Sequence, residues 1–283
     1  MAGYFRARGL PVPRELSRNP LTDWRRWSTL AATLAVLYVG VRVLDIDISR
    51  ANPEYASGVI AKLLQWDFSI MTPQNEFETF WDTSGGLMLV TILLGVVATA
   101  IATVIALPLA FLGARNIMTG HPLTAGLYGV VRVVFTIIRS IDVLIVVIVF
   151  AIIFGLGSAA GVFGLAFHNI GVLGKLYSEA VEGIDPGPGE AITATGANRV
   201  QVVWTAVLPQ IFNPFVSFTI YRLDANVRLA PILGFVGGGG IGQQLFQTIQ
   251  LLQYQKAGLI IFMIIVTVAV MDFGSSQIRK KLV

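Results

Sequence analysis

Apolar and polar positions along the chain segregate into long blocks instead of alternating within short ones. Apolar runs extend from Trp27 to Leu44, Gly86 to Gly113, Ile141 to Gly155, Val162 to about Ala180, Trp204 to about Ala225, and Ala257 to Phe273. Each approaches the roughly 20 residues that a helix needs to cross a hydrocarbon core. The pattern predicts an all-α polytopic membrane protein with about six transmembrane helices, the second bearing a possible kink at Pro108. Residues 123–139 are apolar but interrupted by Arg132 and Arg139. They read as an interfacial helix, with a further span as the alternative. The glycine-rich stretch at 155–161 reads as the turn between the third and fourth spans. Residues 226–255 hold four consecutive glycines and six glutamines. There Gln243, Gln244, Gln247, Gln250 and Gln253 alternate with Leu245, Phe246, Ile249 and Leu252, the mark of an amphipathic surface helix.

Composition agrees with the pattern. Of the 283 residues, 55% are hydrophobic and 13% charged, about half the charged share of a soluble domain. Cysteine is absent, which removes disulfides, thiolate metal sites and thiol nucleophiles. A net charge of +4 with a pI near 9.5 would suit nucleic acid only if the basic residues formed a stripe. They gather instead at the ends of apolar runs. Residues 1–27 carry Arg6, Arg8, Arg14, Arg18, Arg25 and Arg26, whereas 45–84 are acid-rich, with Asp45, Asp47, Glu54, Asp67, Glu76, Glu78 and Asp82. The positive-inside rule then puts the N-terminal segment 1–27 in the cytoplasm and the segment after the first span outside. Arg279, Lys280 and Lys281 put the C-terminus inside as well. A signal peptide is the rival reading of the first run, but the run is long for one and no small-x-small site precedes Asp45.

One polar island interrupts the apolar pattern at residues 186–209, PGPGEAITATGANRVQVVWTAVLP. Pro186 and Pro188 stop any preceding helix, so a new short helix is expected to begin near Gly189–Glu190, where Glu190 suits the helix dipole. Ala191, Ala194, Gly196 and Ala197 are small enough for such a helix to sit in a groove of another protein. Gly196 in a helix interior would cost about 1 kcal/mol relative to Ala, which implies a bend or a close approach.

Glu190-Ala191, Gly196 and Leu208-Pro209 have spacings that resemble the EAA motif of ABC-importer permeases, in which E-A-A, three residues, G, nine residues and I-x-L-P follow in order. Ile192 and Ala206 depart from that pattern by apolar replacement. The stretches RSID (139–142), 182–210, 221–245 and the closing IRKKL are similar to the phosphonate-transporter permease family. The resemblance covers residue 85 to the end. It implies a MetI-like five-helix core over 85–283 with a cytoplasmic coupling loop at 183–203, preceded by an N-terminal helix and external segment over 28–84. It also implies a homodimer in a bacterial cell membrane, two cytoplasmic ATPase subunits that bind ATP and Mg, and an extracytoplasmic phosphonate-binding protein. Glu190, Ala191, Thr193, Gly196, Ala197, Asn198, Arg199, Leu208 and Pro209 would then couple to the ATPase. This chain itself would bind no cofactor or nucleic acid and perform no catalysis.

Candidate path residues are the charges placed within or beside spans. Arg222 falls in the outer half of the fifth span if that span starts near Trp204. Charges at depth are costly and usually functional. Asp224 and Arg228 are spaced to pair with each other, with Asn226 between them. Arg139 and Asp142 read as an ion pair or anchor at the inner mouth of the third span, or as part of an inner gate. Gly237-x-Gly239-x-x-Gly242 matches a dinucleotide fingerprint but lacks its strand–helix setting. It reads as a tight, flexible external turn that the resemblance makes a gating element. His121 and His168 are isolated, so no metal site is expected. Two other classes compete with an importer subunit. A gradient-driven transporter would show repeats or mid-span acids, whereas here the acids fall at span ends and in loops. An intramembrane enzyme would need a nucleophile–base pair or a ligand cluster, and neither is present.

Overall fold

The computed structural model describes residues 8–9, 24–44, 52–73, 79–119 and 121–282. The expectations for Arg6, Arg14 and Arg18 and for Asp45, Asp47, Glu76 and Glu78 lie outside these residues. The chain divides into Met1–Ser57 and Gly58–Val283. The first unit contains α1, Trp24–Val43, 20 residues with exposed apolar side chains along its length. Its Arg42 Nε donates to Tyr38 Oη one turn back, so the cation is held beside a polar ring group near the helix end.

In order along the chain, α2 is Pro53–Leu63, α3 Ser84–Leu112, α4 Pro122–Ser140, α5 Val143–Phe154 and α6 Ser158–Glu182. They are followed by α7 (Pro186–Ala194), α8 (Leu208–Leu233), α9 (Gly240–Gln250) and α10 (Tyr254–Leu282). At the centre of the second unit stand α3, α6 and α8. Ala102, Ala106, Ala110 and Ala114 offer a smooth flank on which Leu173, Tyr177 and Val181 of α6 and Ile211 and Phe215 of α8 pack. The Tyr177 and Phe215 rings stack at 4.2 Å. Alanine at each fourth position brings the backbones close, the usual means of association where no hydrophobic drive exists between helices. Outward-facing Val104, Ile145, Ile152, Ile265 and Val270 remain exposed, as lipid-facing positions would.

Helix direction keeps the expected order of spans and extends the third. Leu94 lies against Gly161 and Gly113 against Ser178, so α3 and α6 run parallel and an odd number of crossings must separate them. Between them, Phe135 and Ile138 of α4 press on Gly174 and Gly171, whereas Val147 of α5 presses on Gly164 and Phe154 stacks on Phe163. Thus α4 and α5 lie end to end along a single neighbour. They form one crossing broken at Ile141–Asp142. The 12 residues of α5 rise only about 18 Å, too little to cross a core of about 30 Å alone. The interfacial expectation for 123–139 is therefore replaced: α4 is long and apolar enough to cross and supplies the first part of the third crossing.

Two boundaries also move. The fifth helix continues past Ala225 to Leu233, because Asp224, Asn226 and Arg228 find partners within the protein. Asp224 is accordingly buried inside a crossing, not at its end. The 155–161 turn shrinks to Gly155–Gly157, with α6 starting at Ser158.

Candidate functional site

The island folds as a braced hairpin at the end where α6 stops and α8 starts. Asp185 Oδ1 accepts from Gly187 N at 3.0 Å and Pro186 occupies the first turn, so α7 begins at Pro186, ahead of the expected Gly189–Glu190. No residue of Pro186–Ala194 is buried. Glu190, Ala191 and Thr193 point into solvent, and Thr193 Oγ1 donates to Gly189 O. The interior placement of Gly196 is corrected: it follows the helix at φ 86°, in the left-handed region where glycine ends a helix without strain. Ala197 is half-buried. Asn198 and Gln201 then exchange reciprocal bonds, Asn198 N to Gln201 Oε1 at 2.8 Å and Gln201 N to Asn198 Oδ1 at 2.9 Å. This box starts the turn Arg199–Val202. A wide turn over Val203–Val207 leads into α8, with Leu208 packed on the core and Pro209 in the first turn, where its missing N–H is harmless.

Sequence reasoning gave Gln210 no role, yet it closes this structure. Its Oε1 accepts from Asp185 N at 3.0 Å, while Nε2 donates to Asp185 O at 3.3 Å and Ala206 O at 2.8 Å. The amide thereby staples the start of α7 to the start of α8. Arg132 braces the same end: Nε donates to Gly113 O at 3.0 Å, Nη2 pairs with Glu182, and Glu182 also accepts from Arg115 N at 2.7 Å.

The charges expected along the path separate into two groups. Arg228 pairs with Asp224 at 2.7 Å and also with Asp272; the i, i+4 expectation holds, with a second acid added. Asn226 is fully buried, and its Nδ2 donates to Thr99 Oγ1 at 2.7 Å. Arg222 instead faces Asn169 near the midpoint of α6, with Nε at 3.0 Å from Asn169 Oδ1, which sets it at mid-crossing and not in the outer half. Arg139 and Asp142 lie at the α4–α5 break, level with His168 and Asn169, so their expected position at an inner mouth is also corrected. No ion pair joins them. Asp142 caps α5, accepting from Leu144 N at 2.8 Å.

The glycine run is neither loose nor exposed. Gly237 and Gly239 have φ of 92° and 76°, and Gly157 N donates to Gly237 O at 2.8 Å. A Cβ on Gly239 would come within 2.6 Å of Ser158 N. Ile241 N donates to Thr91 Oγ1 at 2.8 Å. The run therefore locks the far ends of α3, α6 and α8 together, and the amphipathic helix expected around the glutamines follows as α9. Among the described residues no cluster of His, Asp or Glu could hold a metal ion.

Residues 117–282 match the family described as binding-protein-dependent transport system inner membrane component. The chain is 40% identical over 190 residues to the phosphite transport system permease protein PtxC of Stutzerimonas stutzeri, covering 67% of this chain and 68% of that one. It is 42% identical to the phosphate-import permease protein PhnE of Mycolicibacterium smegmatis, over 90% of this chain but 52% of that protein, so it spans about half of that relative. Among solved structures, the inward-facing MetNI methionine ABC transporter superposes with a TM-score of 0.59 at 25% identity, covering 69% of this chain and 94% of the other. With its five core crossings and the matched segment running from α4 to α10, the chain belongs to the binding-protein-dependent inner membrane components and is a permease subunit of an ABC importer.

Proposed function

We propose that this permease imports a small phosphorus oxyanion: phosphonate, phosphite or phosphate. It works as a homodimer with cytoplasmic termini, driven by two ATPase subunits that carry ATP and Mg and supplied by an extracytoplasmic binding protein. Support for the substrate comes from the relatives named for phosphite and phosphate and from the sequence resemblance to phosphonate permeases. The observation that carries the mechanism is the exposed helix Pro186–Ala194 stapled through Gln210 to α8. A partner gripping Glu190, Ala191 and Thr193 pulls on Asp185 and α8 together. ATP-driven approach of the two partners thereby becomes rotation of the crossings, the alternating-access scheme. Arg222 and Arg139 line the path, and the Gly237–Gly239 run holds the outer end of the crossings.

The substrate half is tested by ATP-dependent uptake into liposomes carrying the permease, its ATPase and its binding protein. At least one of methylphosphonate, phosphite and phosphate accumulates and is inhibited by the other two. Accumulation of an unrelated solute such as a neutral amino acid, with no inhibition by any of the three, would overturn the substrate assignment.

A further inference from the structure

Charge balance singles out the break between α4 and α5. Among the described residues Arg132, Lys175 and Arg228 each have a carboxylate within 4.0 Å. Arg222 and Arg139 do not. Asp142, the acid nearest to Arg139 in sequence, is turned toward the backbone of α5. Arg222 and Arg139 lie within electrostatic reach of each other and of His168. Two uncompensated guanidinium groups at mid-crossing are expensive, and their neighbours do not relieve the cost. Asn169, 0% exposed, gives only its carbonyl oxygen to Arg222. Its Nδ2 is buried with no partner, as is His168 Nδ1. A buried polar atom left without a partner is costly, and a ligand that supplies one relieves the cost. A cavity of about 190 Å³ opens beside the break, lined by Thr136, Arg139, Ser140 and Lys175. That volume exceeds several waters at about 30 Å³ each. The positive end of the α5 dipole faces the same break.

Resting on the oxyanion-import reading above, we propose that Arg222, Arg139 and the Asn169 amide form an oxyanion-binding station at the α4–α5 break, half-way along the crossing. A guanidinium group has five N–H donors in a fork that matches tetrahedral oxyanions. Asn169 holds Arg222 by one oxygen, so the remaining donors serve the ion and Asn169 Nδ2 adds a neutral one. Arg139, on the cavity wall, supplies the second positive charge. Arg228 has no such role, because Asp224 and Asp272 surround it with excess negative charge.

The experiment compares wild type with Asn169→Asp, Arg222→Gln, Arg222→Lys and Arg139→Gln in liposomes carrying the complete transporter. Uptake of inorganic phosphate, phosphite and methylphosphonate is measured, with co-purification of the ATPase and thermal stability as controls. Asn169→Asp is the decisive variant. It keeps the side-chain shape and gives Arg222 a carboxylate partner, so it preserves or improves folding while placing a negative charge in the station. The expected result is about a 10- to 100-fold fall in uptake, the scale of a lost charge-assisted hydrogen bond, with the complex intact. Arg222→Gln and Arg139→Gln fall similarly, and Arg222→Lys recovers part of the loss. Wild-type uptake by Asn169→Asp would overturn the station and leave the oxyanion-import reading standing. A wild type that transports none of the three anions would overturn the oxyanion-import reading and the station with it. If Arg222→Gln prevents assembly, Asn169→Asp still decides between the outcomes.

Discussion

Arg132 explains how an arginine stays in a helix otherwise apolar enough to cross a membrane. Its side chain is 21% exposed and pairs with Glu182, whose side chain is 27% exposed, with the Gly113 carbonyl taking a further bond. Partial burial places the pair between the exposed and buried limits. Arg132→Ala is expected to lower stability by about 1–3 kcal/mol, because Glu182 loses its counter-charge. A lowered melting temperature in detergent checks this, and Glu182→Gln in the same background restores part of it. The sequence showed Arg132 as a break in an apolar run, and nothing in it pointed to Glu182, which is 50 positions away. The pairs that were legible are those one helical turn apart, such as Asp224–Arg228. Arg222–Asn169 and Asp185–Gln210 join residues 53 and 25 apart, and only the packing of α6 against α8 brings them together.

Among the elements, the proposed coupling and path rest on the short helix α7 and the broken pair α4–α5. The Gln210 amide is the mechanical link between α7 and α8, so Gln210→Ala is expected to leave ATPase binding intact while separating hydrolysis from transport. Uptake per ATP hydrolysed should fall several-fold, since each of the bonds removed is worth about 1 kcal/mol. Unchanged coupling would remove Gln210 from the transmission path. Hydrophobic length was a good guide to α1, α3, α6 and α10, each of which folds as a single helix over its run. It failed at α4–α5 because length alone does not reveal that two helices share one crossing. That follows from Gly164, Gly171 and Gly174 accepting both along one face of α6. It also cut α8 short at Ala225, because Asp224, Asn226 and Arg228 look like a loop until their partners on α3 and α10 are known.

At the scale of the whole second unit, the crossings alternate in direction and place residues 113–119, the 183–207 connection and the end of α10 at one face, with the Gly237–Gly240 run and α9 at the other. This polarity suits an engine bound on one side and a delivery protein on the other. The family was legible from the Glu190–Gly196–Pro209 spacing, because the motif is a run of local residues at fixed intervals. The surroundings of the candidate path residues were only partly legible, because they are set by opposition across helices. ATP-driven import is tested most directly by accumulation of radiolabelled phosphate or phosphonate in sealed proteoliposomes, with and without the ATPase subunits and with ion gradients collapsed by ionophores. Accumulation is expected to require both ATP and the ATPase and to survive the ionophores. Accumulation by the permease alone, driven by an imposed ion gradient, would contradict it.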